Sequence, residues 1–157
     1  MPTPTYVPLG TITLASTDSE IVFSSIPATY RDLILIANCK PVSGGNANLV
    51  MKFNGATTGF SRVIAYGDSG GAVSVTSATE LIAQFNDSTN FEVGVNQIMD
   101  YAQTDKHKTV LTKTNEANSL VSMQAQRWAS TDAIHTISLA YSVNIDTGST
   151  FSLYGVN

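Results

Sequence analysis

The sequence predicts an all-β domain, an antiparallel β-sandwich of jelly-roll-like type with about eight to ten strands. Three observations predict it. Apolar and polar residues alternate with a period of two in one segment after another. Clusters of Gly, Asn, Asp and Ser separate these segments at spacings of roughly 10 to 15 residues, the rhythm of short antiparallel strands. Sustained apolar spacing at i, i+3, i+4 and i+7 with capping residues is missing, so helix signals are nearly absent. Periodicity does not encode strand order, and other sandwich topologies stay open at this stage.

Thr11-Ile12-Thr13-Leu14 alternates and places Ile12 and Leu14 on one face. Asp18-Ser19 turns the chain into Glu20-Ile21-Val22-Phe23. Pro27 to Tyr30 reads as a loop, and Leu33 to Ala37 is apolar on both faces, as expected of a strand covered on both sides at the centre of the fold. Pro41 to Asn46, with Gly44-Gly45, is a turn leading into Leu49 to Phe53. Asn54-Gly55 follows, a pair favoured in tight hairpins because both residues tolerate positive φ. Phe60 to Tyr66 is the next strand and Gly67 to Gly71 the next turn, after which Val73 and Val75 alternate with Ser74 and Thr76. Thr79 to Phe85 fits either one helical turn or a short strand.

Phe91, Val93 and Val95 alternate with Glu92, Gly94 and Asn96, and Val121, Met123 and Ala125 alternate with Ser122, Gln124 and Gln126. Ile137, Leu139 and Tyr141 alternate with Thr136, Ser138 and Ala140, and Phe151 and Leu153 point opposite to Ser152 and Tyr154. The first ten residues differ. Pro2, Pro4 and Pro8 cannot join a central strand, and they favour an extended arm. Pro2, Pro4, Tyr6 and Pro8 are the candidate subunit-contact residues of that arm, with a single sandwich domain over residues 11–157.

The totals restrict the function. The 157 residues fit one domain. Charged residues make up 13%, about half the usual share, and 47 residues are Ser, Thr or Asn. Low charge suits a chain packed among neighbours, where an unpaired buried charge is costly. The net charge is −4, and the eight Lys and Arg residues are scattered, so the clustered basic face needed for nucleic acid is missing. No apolar stretch approaches a membrane span, and the start lacks the basic and apolar regions of a signal peptide. Synthesis in a cytoplasm is the expectation.

Motifs for chemistry are sparse. Gly67-Asp68-Ser69-Gly70-Gly71 matches the segment around the nucleophilic serine of chymotrypsin-like proteases. That family orders its triad His, Asp, Ser, whereas His107 and His135 both follow Ser69, and Ala72 stands where the family has proline. The segment reads instead as a turn. The two histidines have neither the i, i+4 spacing nor the cysteine pairs of a metal site, and His107 lies between Lys106 and Lys108. Cys39, the sole cysteine, sits in an apolar run and reads as a buried thiol. Acids such as Asp87, Glu92 and Asp146 could pair for glycoside cleavage only if folding brought them together. The expectation is a protein without enzymatic activity, cofactor or metal.

Five segments together carry a resemblance. They are Ile26-Pro27-Ala28-Thr29-Tyr30-Arg31-Asp32-Leu33, Phe53-Asn54-Gly55, the run from Met99 to Thr109, the run from Arg127 to Ile134, and the ending Gly148 to Val156. In this order, from about Gly10 onward, the chain resembles small virion structural proteins of tailed bacteriophages. The resemblance implies a β-sandwich displayed on the particle and carries over no functional residue. The function expected from it is a capsid decoration, or cement, protein that stabilises the shell. Its partners would be the major capsid protein or other virion proteins, and it would form a homo-oligomer, a trimer being favoured. It would be assembled in the bacterial host cytoplasm. The alternative is a receptor- or glycan-binding module of a tail fibre, using aromatics such as Tyr6, Tyr66 or Trp128 as stacking platforms.

Overall fold

The computed structural model describes residues 4–43, 47–68, 71–77, 80–86, 90–116 and 120–157, and at 68, 71–77 and 86 it describes the backbone. Among these residues there are twelve strands and no helix. They are β1 (Tyr6–Thr13), β2 (Ile21–Phe23), β3 (Asp32–Cys39), β4 (Ala47–Phe53), β5 (Phe60–Asp68), β6 (Gly71–Ser77), β7 (Leu81–Asn86), β8 (Glu92–Met99), β9 (Lys108–Glu116), β10 (Leu120–Trp128), β11 (Ile137–Ala140) and β12 (Thr150–Val156). An eight-stranded sheet has the order β1-β12-β3-β8-β9-β10-β5-β6, and a four-stranded sheet has the order β2-β11-β4-β7. Every strand pairing is antiparallel.

The order resolves the topology. Strands β1, β2, β3, β4, β7, β8, β11 and β12 fall into the facing quartets β1-β12-β3-β8 and β2-β11-β4-β7. Successive strands of this set alternate between the quartets, except β4 and β7, which are neighbours in the small one, and this is the double Greek-key wrapping of a jelly roll. The pairs β5–β6 and β9–β10 are insertions into that wrapping, and both extend the large sheet beyond β8. They take the strand number above the eight to ten expected.

The core lies between the quartets. Leu33, Leu35 and Ala37 of β3, Phe151 and Leu153 of β12, and Ile98 of β8 face Leu49, Met51 and Phe53 of β4 and Ile137 and Leu139 of β11, all with 0–1% exposure. Strand β3 is central, paired on both sides, yet Ile34 and Ile36 on its outer face are only half-buried. Trp128 closes one end of the core with its ring 5.8 Å from that of Phe53.

Beyond β8 the usual polarity of a sheet is reversed. A strand with one wet face normally turns its apolar side inward. Here Asn96 of β8, Thr112 and Thr114 of β9, and Ser122, Gln124 and Gln126 of β10 are buried, while Val93, Val95, Leu111, Val121 and Met123 are exposed. For Gln126 and Asn96 the cause is the free edge of β7, whose backbone would otherwise be buried without partners. Gln126 fills the place of a neighbouring strand. Its Oε1 accepts from the Ile82 N–H at 2.7 Å, and its Nε2 donates to the Ile82 carbonyl at 2.8 Å. Asn96 donates to the Ala83 carbonyl at 3.2 Å and accepts from the Thr112 hydroxyl at 2.7 Å. Strand β7 lies so close to β8 that a Cβ at Gly94 would stand 2.3 Å from the Ala83 carbonyl oxygen. At Gln126 and Asn96 a polar side chain is what the packing demands.

Several local expectations change. Tyr6 and Pro8 belong to β1 and pair with Val156 and Tyr154, so the arm expected over residues 1–10 gives way to an edge strand from Tyr6 onward. An edge strand tolerates Pro8 because its N–H side can face away from the ladder, and the register shift between Pro8 and Gly10 absorbs the misfit. Pro4 precedes the strand and is exposed, and Pro2 lies outside the described residues. Asn54 and Gly55 do turn, with φ of 51° and 73°, but β4 and β5 lie in different sheets, so the turn is a crossing and not a hairpin. The Asn54 side chain fastens the crossing: Oδ1 accepts from the His135 and Thr136 N–H groups, and Nδ2 donates to the Ala133 carbonyl.

The run around Tyr101 is the turn after β8. Asp100 has φ of 49° and its N–H donates to Asp32 Oδ1, while Tyr101 is fully buried with its hydroxyl donating to the Pro27 carbonyl. His135 is an exposed residue before β11, with its ring bonded to Thr136. Leu81–Asn86, which overlaps the ambiguous segment Thr79 to Phe85, is a strand.

Candidate interaction surface

The strand registers assemble the exposed apolar residues into one block. Val95, Lys113, Met123 and Ala65 stand side by side across β8, β9, β10 and β5. Gln97, Leu111, Ala125 and Val63 form the neighbouring row on one side, and Val93 and Val121 flank the block on the other. Neighbouring strands are about 4.8 Å apart and alternate residues about 7 Å, so these side chains touch in a continuous sheet of surface. Val121 is 66% exposed and Met123 59%, values far above those of core aliphatics. Two shallow hollows indent the block, one of about 260 Å³ between β5, β9 and β10 and one of about 420 Å³ between β8, β9 and β10. Both are open depressions on a sheet face, suited to receiving side chains from another surface.

The electrostatics of the block are simple. No carboxylate stands on the outer face of β5, β8, β9 or β10 among the described residues. Lys113 lies at its centre and forms no ion pair among those residues. Arg127, between Thr109 and Ser61, stands at the margin. Thr109, Asn115 and Gln97 complete a polar rim. An exposed apolar block with one cation at its centre and a polar margin is a surface that a protein partner can cover.

No family model matches the chain, and no curated protein matches it. Among solved structures, a protein of unknown function from Shewanella oneidensis MR-1 aligns at 10% identity with a TM-score of 0.25, covering 98% of this chain and 77% of that one. A likeness at that level carries no argument.

The described residues among those singled out for chemistry stand in different settings. Ser69 lies outside the described residues. His107 and His135 are both exposed. Glu92 is buried at 1% exposure, Asp146 is 3.2 Å from the Lys40 ammonium, and Asp87 lies outside the described residues. No group of three potential metal ligands occurs among the described residues. Burial pushes the Cys39 thiol up to about 12, against the weaker opposing effect of its contact with the Tyr141 hydroxyl, so it is no nucleophile at neutral pH. The Lys108 ammonium is buried as well and donates to the carbonyls of Gln103, Lys106 and Thr131, binding the β8–β9 connection to the loop after β10. Desolvation lowers its pKa, and nearby Asp105, Asp132 and Asp100 oppose the shift.

Of the arm residues, Tyr6 is 59% exposed on the free edge of the large sheet, and Pro8 is exposed beside it. The outer block was missed by sequence reasoning. The sequence carries the alternation of Val121, Met123 and Ala125 with Ser122, Gln124 and Gln126, and alternation alone does not say which set faces inward.

Proposed function

We propose that this chain is a non-enzymatic structural protein of a bacteriophage virion, a capsid decoration protein that stabilises the shell by binding across its subunits. The observation that carries the reading is the outward apolar block on β5, β8, β9 and β10 around Lys113. Such a surface is costly to leave in water and serves a chain whose task is attachment. A protein that binds only the assembled lattice stabilises it by mass action. The sparse charge and the resemblance of five sequence segments to small phage virion proteins support the same reading. The major capsid protein is the partner, and the protein acts as a homo-oligomer, a trimer in the simplest case. The edge strand at Tyr6 and Pro8, with the residues before it, supplies a second contact.

The fibre-module alternative is less well served. Trp128, the strongest stacking candidate, is 5% exposed and packed on Phe53, leaving Tyr6 and the half-buried Tyr66.

The test is addition of purified protein to purified empty shells lacking it, with bound copies counted from stained gels. Saturable binding at tens to hundreds of copies per shell, with a rise in shell melting temperature, is expected. Val121→Asp should weaken binding at least ~10-fold, the equivalent of ~1.4 kcal/mol. Failure of the wild-type chain to bind shells, or an unchanged affinity for Val121→Asp, would overturn the reading.

A further inference from the structure

We propose that the shell surface covering the outer block carries a carboxylate, an Asp or Glu of the major capsid protein, that pairs with Lys113 and fixes the register of docking. The inference rests on the reading of the block as the shell-binding surface and names the chemistry its partner must present.

The cation sits where docking removes water. Lys113 has Val95 on one side and Met123 on the other in the row across β8, β9 and β10, with Leu111 two residues along its own strand. A protein surface that covers these side chains also dries the ammonium among them. Lysine is a compact, strongly hydrated charge, and drying it without a partner is strongly unfavourable. A contact that left Lys113 unpaired would forfeit much of what the burial of Val121 and Met123 contributes.

The chain itself offers no counter-charge there. Arg31, Lys40 and Lys106 each have a carboxylate of this chain close by, Asp32 at 3.1 Å, Asp146 at 3.2 Å and Asp100 at 3.6 Å. Lys113 has none among the described residues, and the outer face of β5, β8, β9 and β10 carries none. Glu92 and Glu116, the acids of β8 and β9, alternate onto the opposite face. The carboxylate therefore comes from the covering surface. Arg127 stands at the margin of the block, where an ion pair stays wet and contributes little. Lys113 is thus the specificity-determining residue. Apolar burial is non-directional and permits many registers, whereas one charge at the centre selects the register in which the two charges meet.

Titration of purified empty shells with Lys113→Met and Lys113→Arg chains tests this. Methionine keeps an unbranched side chain and removes its charge, so a paired and an unpaired lysine predict opposite signs. With the carboxylate opposite, Lys113→Met leaves that carboxylate dried and unpaired, and shell affinity should fall at least ~10-fold through faster dissociation. Lys113→Arg, which keeps the charge, should bind more tightly than Lys113→Met. Carbodiimide treatment of the wild-type complex should join the Lys113 amine to the carboxylate as an amide, the displaced oxygen leaving in the urea formed from the reagent. Peptide mass spectrometry should place the joined residue in the major capsid protein. A Lys113→Met chain that binds as tightly as wild type or more tightly overturns the inference, as does Lys113→Arg binding no better than Lys113→Met. So does a Lys113 that forms no cross-link, or one only to a second copy of this chain. Any of these results with Val121→Asp still defective leaves the shell-binding surface standing and removes only the carboxylate opposite Lys113. Shells that take up no wild-type chain overturn the surface itself.

Discussion

Cys39 illustrates what burial does to a single group. Its thiol is fully inside, 3.4 Å from Gln84 Oε1 and 3.3 Å from the Tyr141 hydroxyl. Desolvation raises its pKa from 9.0 to about 12, so the native state holds the proton long after the unfolded chain has released it. For an acid shifted upward, stability is intact below the unfolded pKa and falls as pH rises above it. Urea unfolding at a series of pH values should therefore show stability declining from about pH 9 towards 12, and more shallowly in Cys39→Ala. Just above pH 9 the comparison isolates the thiol, because Tyr141, raised in the same sense by burial, has an ordinary value of 10.0. Lys108 works in the other direction, since a lowered lysine pKa makes stability rise with pH below 10.5, and it contributes equally to both proteins. A wild-type slope equal to that of Cys39→Ala would show that the thiol is not desolvated as described.

At the scale of the element, β7 explains why Gln126 and Asn96 of the large sheet face inward. It is an edge strand covered by the curling sheet, so its outward N–H and C=O groups need partners that water cannot supply. Gln126 and Asn96 meet that need, and Gly94 permits the close approach. Gln126→Leu should leave the Ile82 N–H and C=O unsatisfied and cost about 3 kcal/mol in urea unfolding. Arg127→Leu, on the opposite face of the same strand, should change stability by no more than about 0.5 kcal/mol. Equal effects would mean that Gln126 does not pair with the β7 edge. The same strand marks how far sequence reading reaches. The period of two located β10 and divided its residues correctly between two faces, because alternation is a property of the backbone. Which face turns inward depends on a strand some forty residues away, and on whether its edge is covered. Neither fact is local, so Val121 and Met123 could not be recognised as the outward set. The turn at Asn54-Gly55 repeats the point: its positive φ was legible, and the sheet that receives the following strand was not. Tyr6 and Pro8 show the limit of composition, since prolines exclude a central strand and leave an edge strand permitted.

At the scale of the molecule, the jelly-roll order makes the end of the chain a central part of the fold. Strand β12 lies between β1 and β3, pairing Thr150–Val156 with residues from both, while β1 has no other strand neighbour. Phe151 and Leu153 are in the core, Leu14 donates its N–H to the Ser149 carbonyl, and the Asn157 N–H donates to the Thr5 carbonyl. A chain stopped after Gly148 therefore loses two ladders and two core side chains together, a larger loss than the stability of a typical domain can absorb. Its near-ultraviolet circular dichroism should be lost. The gap left between β1 and β3 has the width of one antiparallel strand and keeps the pockets for Phe151 and Leu153, so a synthetic peptide of residues 149–157 should restore the signal by strand addition. The Phe151→Ser peptide should restore it far less well, since its backbone can pair but its apolar anchor is gone. A truncated chain that keeps its native spectrum unaided would show that β12 is dispensable and that the assigned order of the large sheet is wrong between β1 and β3.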